Sequence, residues 1–243
     1  MKTYGKISVV SDNFELLQFF IDCKEEYSNY DCDFFCTFQQ NLPENLIELG
    51  VKPVDVNESL EKFLRYEVIF SIHCKQIFPK KLVDEVRCYN LHPGYNPYNR
   101  GYYPHVFSIL NKLPAGVTLH RMDDKIDHGY IIDREEVKVE AWDTSFSLYR
   151  KVIEKEKIVL KRNIKKILEY NYKPIYAPDG NYNSLKDYQK LLKLNLNEKL
   201  TIKQTIDLLR AVTHPPYKNA YFIDEHTGKK IFVEIKLNLD EKE

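Results

Sequence analysis

The sequence predicts an α/β fold: a parallel sheet with helices on both faces, followed by a smaller C-terminal helix and β-hairpin. Three observations carry this. Short β-branched runs alternate with segments of helical apolar spacing from residue 6 to residue 91, the pattern that builds parallel sheets from crossover units. One of those runs ends in Asn90 and His92, and residues 93–104 then supply Pro, Gly and Asn with Arg100 and four tyrosines, a heavy load for a connector. Side chains alternate along a strand, so Asn90 and His92 share a face opposite Leu91. Open α/β sheets place ligands at the carboxyl ends of their strands.

The elements follow in order. Residues 6–10 (KISVV) read as a first buried strand, and Ser11-Asp12-Asn13 caps a helix over 14–27. Residues 33–38 read as a second strand and 58–63 sit in a second helix. A third strand covers 67–71; if it extends, Ser71, His73 and Lys75 share a face. A short helix (79–86) precedes the strand 87–91 that carries the Asn/His pair. Further along come a helix at 103–112, a strand at 116–121, a polar loop at 122–129 and a strand at 130–139. An amphipathic helix over 144–170 ends a first domain, taken as 1–172. Residues 173–243 form the extension: a Tyr-rich linker (173–188) that packs on the body, a helix at 202–211, and a hairpin of 221–223 with 230–236. Residues 240–243 are a charged tail.

Composition bounds the function. The 243 residues carry 36 Lys+Arg against 36 Asp+Glu. A net charge of zero disfavours binding to bulk nucleic acid, where neutralising phosphate supplies most of the affinity. Cys23, Cys32, Cys36, Cys74 and Cys88 lack disulfide or zinc spacing and read as reduced and structural. No apolar stretch is long enough to span a bilayer, and residues 1–6 have no apolar leader character, so the expected compartment is the cytoplasm with no membrane partner. No GxGxxG or GxxxxGK[ST] follows a strand, so dinucleotide and P-loop readings lack their glycines.

For chemistry, Asn90 and His92 need a carboxylate. Asp127 is the natural one, in the polar loop beside His128-Gly129, with Asp123 and Asp124 as rivals. A His beside a carboxylate can pass a proton, and amide plus imidazolium N–H groups can hold an oxyanion. The set suits attack on a carbonyl by an external nucleophile, since no G-x-S-x-G elbow supplies one from the protein. His73, His105 and His120 receive structural or surface readings, and the spacing of His120, Asp124 and His128 matches no metal template, so no metal is expected.

The strings SIHCKQIFP (71–79), NLHPGYNPYNRGYYP (90–104), GVTLHRMDDKIDHGYII (116–132) and LRAVTHPPYKNAYF (209–222) resemble the formyltransferase family. Within it they resemble the dTDP-sugar N-formyltransferases, in particular those acting on dTDP-4-amino-4,6-dideoxyglucose. The resemblance implies a formyltransferase-type Rossmann-like α/β domain and 10-formyl-tetrahydrofolate as formyl donor. By matching position it makes Asn90, His92 and Asp127 the catalytic set: Asn90 and protonated His92 hold an oxyanion while Asp127 orients His92. It places the pterin on Gln76, Ile77 and Phe78 and on the loop with Met122 and Asp124. Lys75, Asn99, Arg100 and Tyr103 become candidates for the sugar nucleotide, and Tyr217 or Tyr221 for its base. It implies a homodimer built on the C-terminal hairpin, and a role in surface polysaccharide (O-antigen) synthesis. Two alternatives stay open here. One is hydrolysis of 10-formyl-tetrahydrofolate, for which the NPYNRG loop is superfluous; the other is a sugar-nucleotide-binding module, for which the catalytic set is superfluous.

Overall fold

A computed structural model of the chain describes residues 4–37, 42–176 and 178–240. Seven strands make one sheet in the order β3-β2-β1-β4-β5-β7-β8. Strands β1 (Tyr4–Ser11), β2 (Tyr30–Cys36), β3 (Lys52–Pro53), β4 (Val68–Ile72) and β5 (Arg87–His92) run parallel. Strands β7 (Ala115–Arg121) and β8 (Ile131–Val137) complete the sheet antiparallel, so it is mixed. β1 is followed by β2 on one side and β4 on the other, which opens a crevice at its carboxyl end. The remainder of the expected second strand, Phe38, lies outside the described residues.

Alternation along the strands sorts the core into two layers. Ile7, Val9, Phe70, Tyr89, Leu91 and Leu119 face α1 (Phe14–Asp22) and α6 (Ser145–Leu168), whose Leu17, Phe20, Leu160 and Ile164 are fully buried. Val10, Ile69 and Cys88 face the opposite layer, with Phe63 of α3 (Leu60–Phe63) and Leu82 of α4 (Lys80–Glu85). Each such side chain contributes about 1.5–3 kcal/mol of burial. Caps set the helix starts: Asn13 accepts from the Leu16 N–H at 3.0 Å, and Thr144 with Ser147 forms a reciprocal capping box at the start of α6.

Several boundaries differ from the sequence reading. The first helix stops at Asp22 and a 3-10 turn, Lys24–Tyr27, takes over. A short helix, α2 (Glu44–Glu48), precedes β3 where no element was expected. β4 ends at Ile72, and His73 takes a φ of +52°, so Ser71, His73 and Lys75 do not share an extended face. The Tyr-rich linker is not irregular throughout. Its β9 (Tyr182–Asn183) pairs with β6 (Arg100–Gly101), and α7 (Leu185–Leu192) follows behind a Ser184 capping box.

α5 (Pro104–Asn111) and α8 (Ile202–Val212) pack together, and Ala211, Val212 and Ala220 join one apolar cluster with Val106, Ile109, Ala115, Leu148 and Val152. The C-terminal segment therefore shares a core with the sheet-bearing body. Its last strands, β10 (Tyr221–Ile223) and β11 (Lys230–Phe232), form the antiparallel hairpin, shorter than expected at its second strand. Among the described residues, no helix is long and apolar enough to cross a membrane.

Candidate active site

The polar cluster grows from the register of three strands. In β5, Tyr89 and Leu91 enter one apolar layer, which turns Asn90 and His92 to the other side of the sheet. β7 runs antiparallel beside it with Asn90 opposite His120 and His92 opposite Thr118. Thr118 Oγ1 donates to the Gly94 carbonyl at 2.7 Å and accepts from the Asn96 N–H at 2.9 Å, fixing the turn after His92. Gly94 is required there: a Cβ on it would lie 2.4 Å from His92 Nε2.

The loop after β7 brings in Asp127. The Arg121 N–H donates to the Tyr130 carbonyl and the Met122 N–H to the Cys88 carbonyl, both at 2.8 Å. Gly129 serves close approach, since a Cβ would meet the Arg121 carbonyl at 1.7 Å; the left-handed backbone in this loop belongs to Asp127 itself, at φ +50°. Asp127 Oδ1 accepts from Asn90 Nδ2 at 3.0 Å and lies 3.4 Å from His92 Nδ1 and 3.6 Å from His120 Nε2. Its Oδ2 accepts from the Gly101 N–H at 3.1 Å, and its carbonyl accepts from Asn96 Nδ2 at 2.9 Å.

Geometry separates the rival carboxylates. Asp123 binds His128 Nδ1 at 2.7 Å, and Asp124 is exposed beside Lys80. Only Asp127, of the three, meets both Asn90 and His92.

The electrostatics are those of a buried carboxylate held among two imidazole rings and a backbone N–H. Burial works to raise the Asp127 carboxyl, but His92, His120 and the Gly101 N–H outweigh it and hold it at about 2. Burial pushes His92 down to about 4, against the pull of Asp127. The resting ring is therefore neutral, and the protonated His92 expected from the sequence arises only when it takes up a proton. With Nδ1–H turned to Asp127, the ring's lone pair is on Nε2. That nitrogen is buried and has no hydrogen-bond partner among the described residues. It is fitted to meet a small polar group of a ligand.

His120 is the residue that the sequence reading missed. It is buried, its Nε2 sits 3.3 Å from Asn90 Nδ2, and its Nδ1 lies 3.0 Å from the Arg121 carbonyl. Alternation along residues 116–121 could have placed it on the Asn90 face, but only the antiparallel register sets it opposite Asn90.

The binding candidates divide. Asn99 is fully buried and its side chain is spent on Ser108, Asn111, Asn181 and Asn183, so it is not available to a sugar nucleotide. Arg100 Nη2 donates to the Gly180 carbonyl at 3.1 Å. Tyr103 is partly exposed, its ring 4.1 Å from that of Tyr188. Tyr217 is exposed beside His214, whereas Tyr221 is built into the hairpin against Phe232. Lys75 is exposed, with its N–H on Asp12 Oδ2 at 2.8 Å. Gln76 is turned inward, donating to Asp55 and accepting from the Val56 N–H, and Phe78 is a core residue. Ile77 is exposed and Met122 half-buried.

Comparison with known proteins agrees with this architecture. The formyl transferase family pattern matches residues 40–164, and the N-formyltransferase dimerization C-terminal domain matches residues 187–239. The chain is 38% identical to a dTDP-4-amino-4,6-dideoxyglucose formyltransferase of Mycobacterium tuberculosis, over 95% of this chain and 96% of that protein. It is similar to the crystal structure of a 4-N formyltransferase from Francisella tularensis, with TM-score 0.91 and 44% identity over 97% of this chain and 99% of that one. It also shares the fold of an N-formyltransferase from Helicobacter canadensis solved with folinic acid and dTDP-3-aminofucose (TM-score 0.67, 21% identity, 89% of this chain and 84% of that one).

Proposed function

The chain belongs to the formyl transferase family, and from that premise we propose that it is a folate-dependent sugar N-formyltransferase acting on dTDP-4-amino-4,6-dideoxyglucose. The observation that carries the reading is the meeting of Asn90 and the Nδ1 side of His92 at the Asp127 carboxylate, with His92 Nε2 left without a partner among the described residues. When bound, 10-formyl-tetrahydrofolate supplies the formyl carbon that the sugar amine attacks. Exposed Ile77, the backbone of Phe78 and the loop with Met122 and Asp124 are the residues to hold it.

The chain's own residues have defined tasks in this reading. His92 Nε2 takes the proton that the amine nitrogen sheds, and the Asp127 carboxylate stabilises the imidazolium that results. The charged ring then has an N–H to donate, and it gives that proton to the leaving nitrogen as the bond from this nitrogen to the formyl carbon breaks, which returns His92 to its neutral state. Asn90 Nδ2 aims one proton at Asp127; its second contact, to His120 at 3.3 Å, is the looser, and that proton turns to the carbonyl oxygen under attack. Lys75, Tyr103 and Tyr217 are exposed, and we assign the nucleotide to them, with Lys75 suited to its diphosphate. Residues 173–243 act as the dimerisation extension of a cytoplasmic homodimer, and the product serves surface polysaccharide (O-antigen) synthesis.

The test is to incubate the protein with 10-formyl-tetrahydrofolate and dTDP-4-amino-4,6-dideoxyglucose, with 3-amino and UDP-linked sugars as comparisons. A formyl mass gain on the 4-amino dTDP sugar is expected. Formate release that is unchanged by any amino sugar would overturn the reading in favour of hydrolysis.

A further inference from the structure

A second histidine stands next to His92 at the carboxyl end of the sheet. Ile72 of β4 pairs with Leu91 of β5, so the residues that follow them, His73 and His92, come next to one another. His73 leaves the strand at φ +52°, a conformation that costs a non-glycine residue energy and that gathers at functional sites. Its Nε2 lies 2.8 and 2.9 Å from the two oxygens of Glu156 on α6. Glu156 is wholly buried. A buried carboxylate with a single charged or chargeable partner is costly to keep and contributes little net stability, so its retention calls for another explanation.

The other side of the ring supplies one. With Nε2 turned to Glu156, the other ring nitrogen, Nδ1, lies 3.4 Å from the Tyr149 hydroxyl. That contact is long and weak, and Tyr149 is independently held by Asn13 Nδ2 at 3.0 Å. A carboxylate orienting an imidazole whose far nitrogen is nearly free is the arrangement of an activated base. The groups around it are Glu156 and Tyr149 from α6 and His105 from α5, whose ring is 5.2 Å from that of Tyr149, with Asp12 and Asn13 from the loop after β1 and His92 at the end of β5, close enough to interact electrostatically. Burial raises the Glu156 carboxyl and the His73 ring opposes that rise, while burial pushes Tyr149 up to about 12, so the phenol stays neutral.

We propose that His73, backed by Glu156, is a second base that strips the proton from the substrate's ammonium group before the amine meets His92. This rests on the formyl-transfer reading and adds to it. An amino sugar arrives largely as an ammonium ion, which has no lone pair to attack with. The N–H bond breaks with its electron pair left on the amine nitrogen, a new N–H bond forms at His73 Nδ1, and the charge moves to the imidazolium facing Glu156. The proton returns to solvent as the product departs. His92 is thereby kept neutral for the proton released during attack itself.

The experiment is the pH dependence of kcat/KM for Glu156→Gln, with dTDP-4-amino-4,6-dideoxyglucose and 10-formyl-tetrahydrofolate as probes and formylated sugar measured by mass. Glu156→Gln keeps the size and a hydrogen-bonding oxygen but removes the charge. The expected result is a loss on the order of a hundredfold below the pKa of the sugar amine, shrinking towards wild type above it, where the amine is already neutral. His73→Gln should show the same pH-dependent recovery and serves in its place if Glu156→Gln does not fold. A loss equal at every pH would mark a purely structural pair and overturn the proposal, as would no loss at all. Failure of the formyl-transfer reading is separately visible, because the wild type would then give no formylated sugar at any pH.

Discussion

Asn181 Nδ2 donates to the side-chain oxygen of Asn99 at 2.7 Å, and this bond ties the C-terminal segment to the active-site loop. Asn99 holds a left-handed φ of +53° and also accepts from Asn111 Nδ2 at 2.5 Å. Two backbone bonds run in parallel: the Arg100 N–H donates to the Asn181 carbonyl at 3.1 Å and the Tyr102 N–H to the Asn183 carbonyl at 3.0 Å. Between them the Gly101 N–H is left pointing at Asp127 Oδ2. The strap beyond α6 thus positions the carboxylate that orients His92.

The Asn99 N–H donates to Asn181 Oδ1 at 2.9 Å, so removing the Asn181 side chain leaves a buried donor unsatisfied, at a cost of about 1–3 kcal/mol. Asn181→Ala should lower the free energy of unfolding by that amount, read from urea denaturation. It should also reduce kcat more than it raises KM for either substrate, because the loss reaches Asp127 through Gly101. Equal kinetic constants in a measurably destabilised protein would show that the knot is structural alone.

His92→Asn and Asn90→Ala should each cut kcat by on the order of a hundredfold or more, with little effect on KM, as expected for groups that act mainly in the transition state. Gly94→Ala is a subtler probe. Its Cβ would fall 2.4 Å from His92 Nε2 and must displace the ring, so it should approach the His92 variant in kcat while circular dichroism stays unchanged. Wild-type turnover in folded Gly94→Ala would contradict this placement of the ring.

Much of this site was legible in the sequence. The alternation of Asn90, Leu91 and His92 set the first two residues on one face, and the turn-rich stretch behind them marked a strand end. What stayed hidden depends on registers and long-range closures. His120 joins because β7 runs antiparallel with a particular offset. Asn99 has the composition of a ligand contact, yet its partners lie 82 and 84 residues away, at Asn181 and Asn183. Glu156 sits on a charged helix where nothing in the local pattern separates it from its solvated neighbours. The residue types alone left Asp127 and Asp124 as rivals and the family resemblance chose Asp127; the backbone path of the loop supplies the physical reason, turning that carboxylate inward and leaving Asp124 in water.

Acid should destabilise the fold before the ordinary carboxylates titrate. Burial lowers His92 to about 4 and His105 to about 3, each from an ordinary value of 6.5. As pH falls through 6.5 the unfolded chain takes up protons that the folded rings refuse. The unfolded state therefore binds more protons, and stability declines from pH 6.5 down to about 4. Asp127 acts lower: held at about 2, it stabilises the fold above its ordinary value of 3.8, and this is lost as pH falls towards 2. Urea midpoints at pH 7.5, 6 and 4.5 should fall in that order, and His105→Leu should flatten the trend. A midpoint that is constant from pH 7.5 to 4.5 would refute the neutral-histidine account.

The C-terminal hairpin should hold two chains together. Two strands of three residues each cannot be stable alone in water, and three or more strands or a packed face are needed. α8 leaves Ile202 80% exposed, and Ile231 and Phe232 of β11 remain 43% and 45% exposed. The one-chain alternative, in which the helix covers the hairpin's apolar side chains, does not account for these. A second copy of the same surface would cover them with a two-fold interface, the commonest in soluble oligomers, and the segment lies inside the match to a dimerization domain at 187–239. Light scattering at micromolar concentration should give about twice the 28.9 kDa chain mass. Phe232→Glu should shift it towards one chain by placing two like charges in the contact, and should leave the circular dichroism of the sheet-bearing body intact. A full-length protein that scatters as a single chain at all concentrations, with Phe232→Glu unchanged from it, would return the hairpin to its own domain.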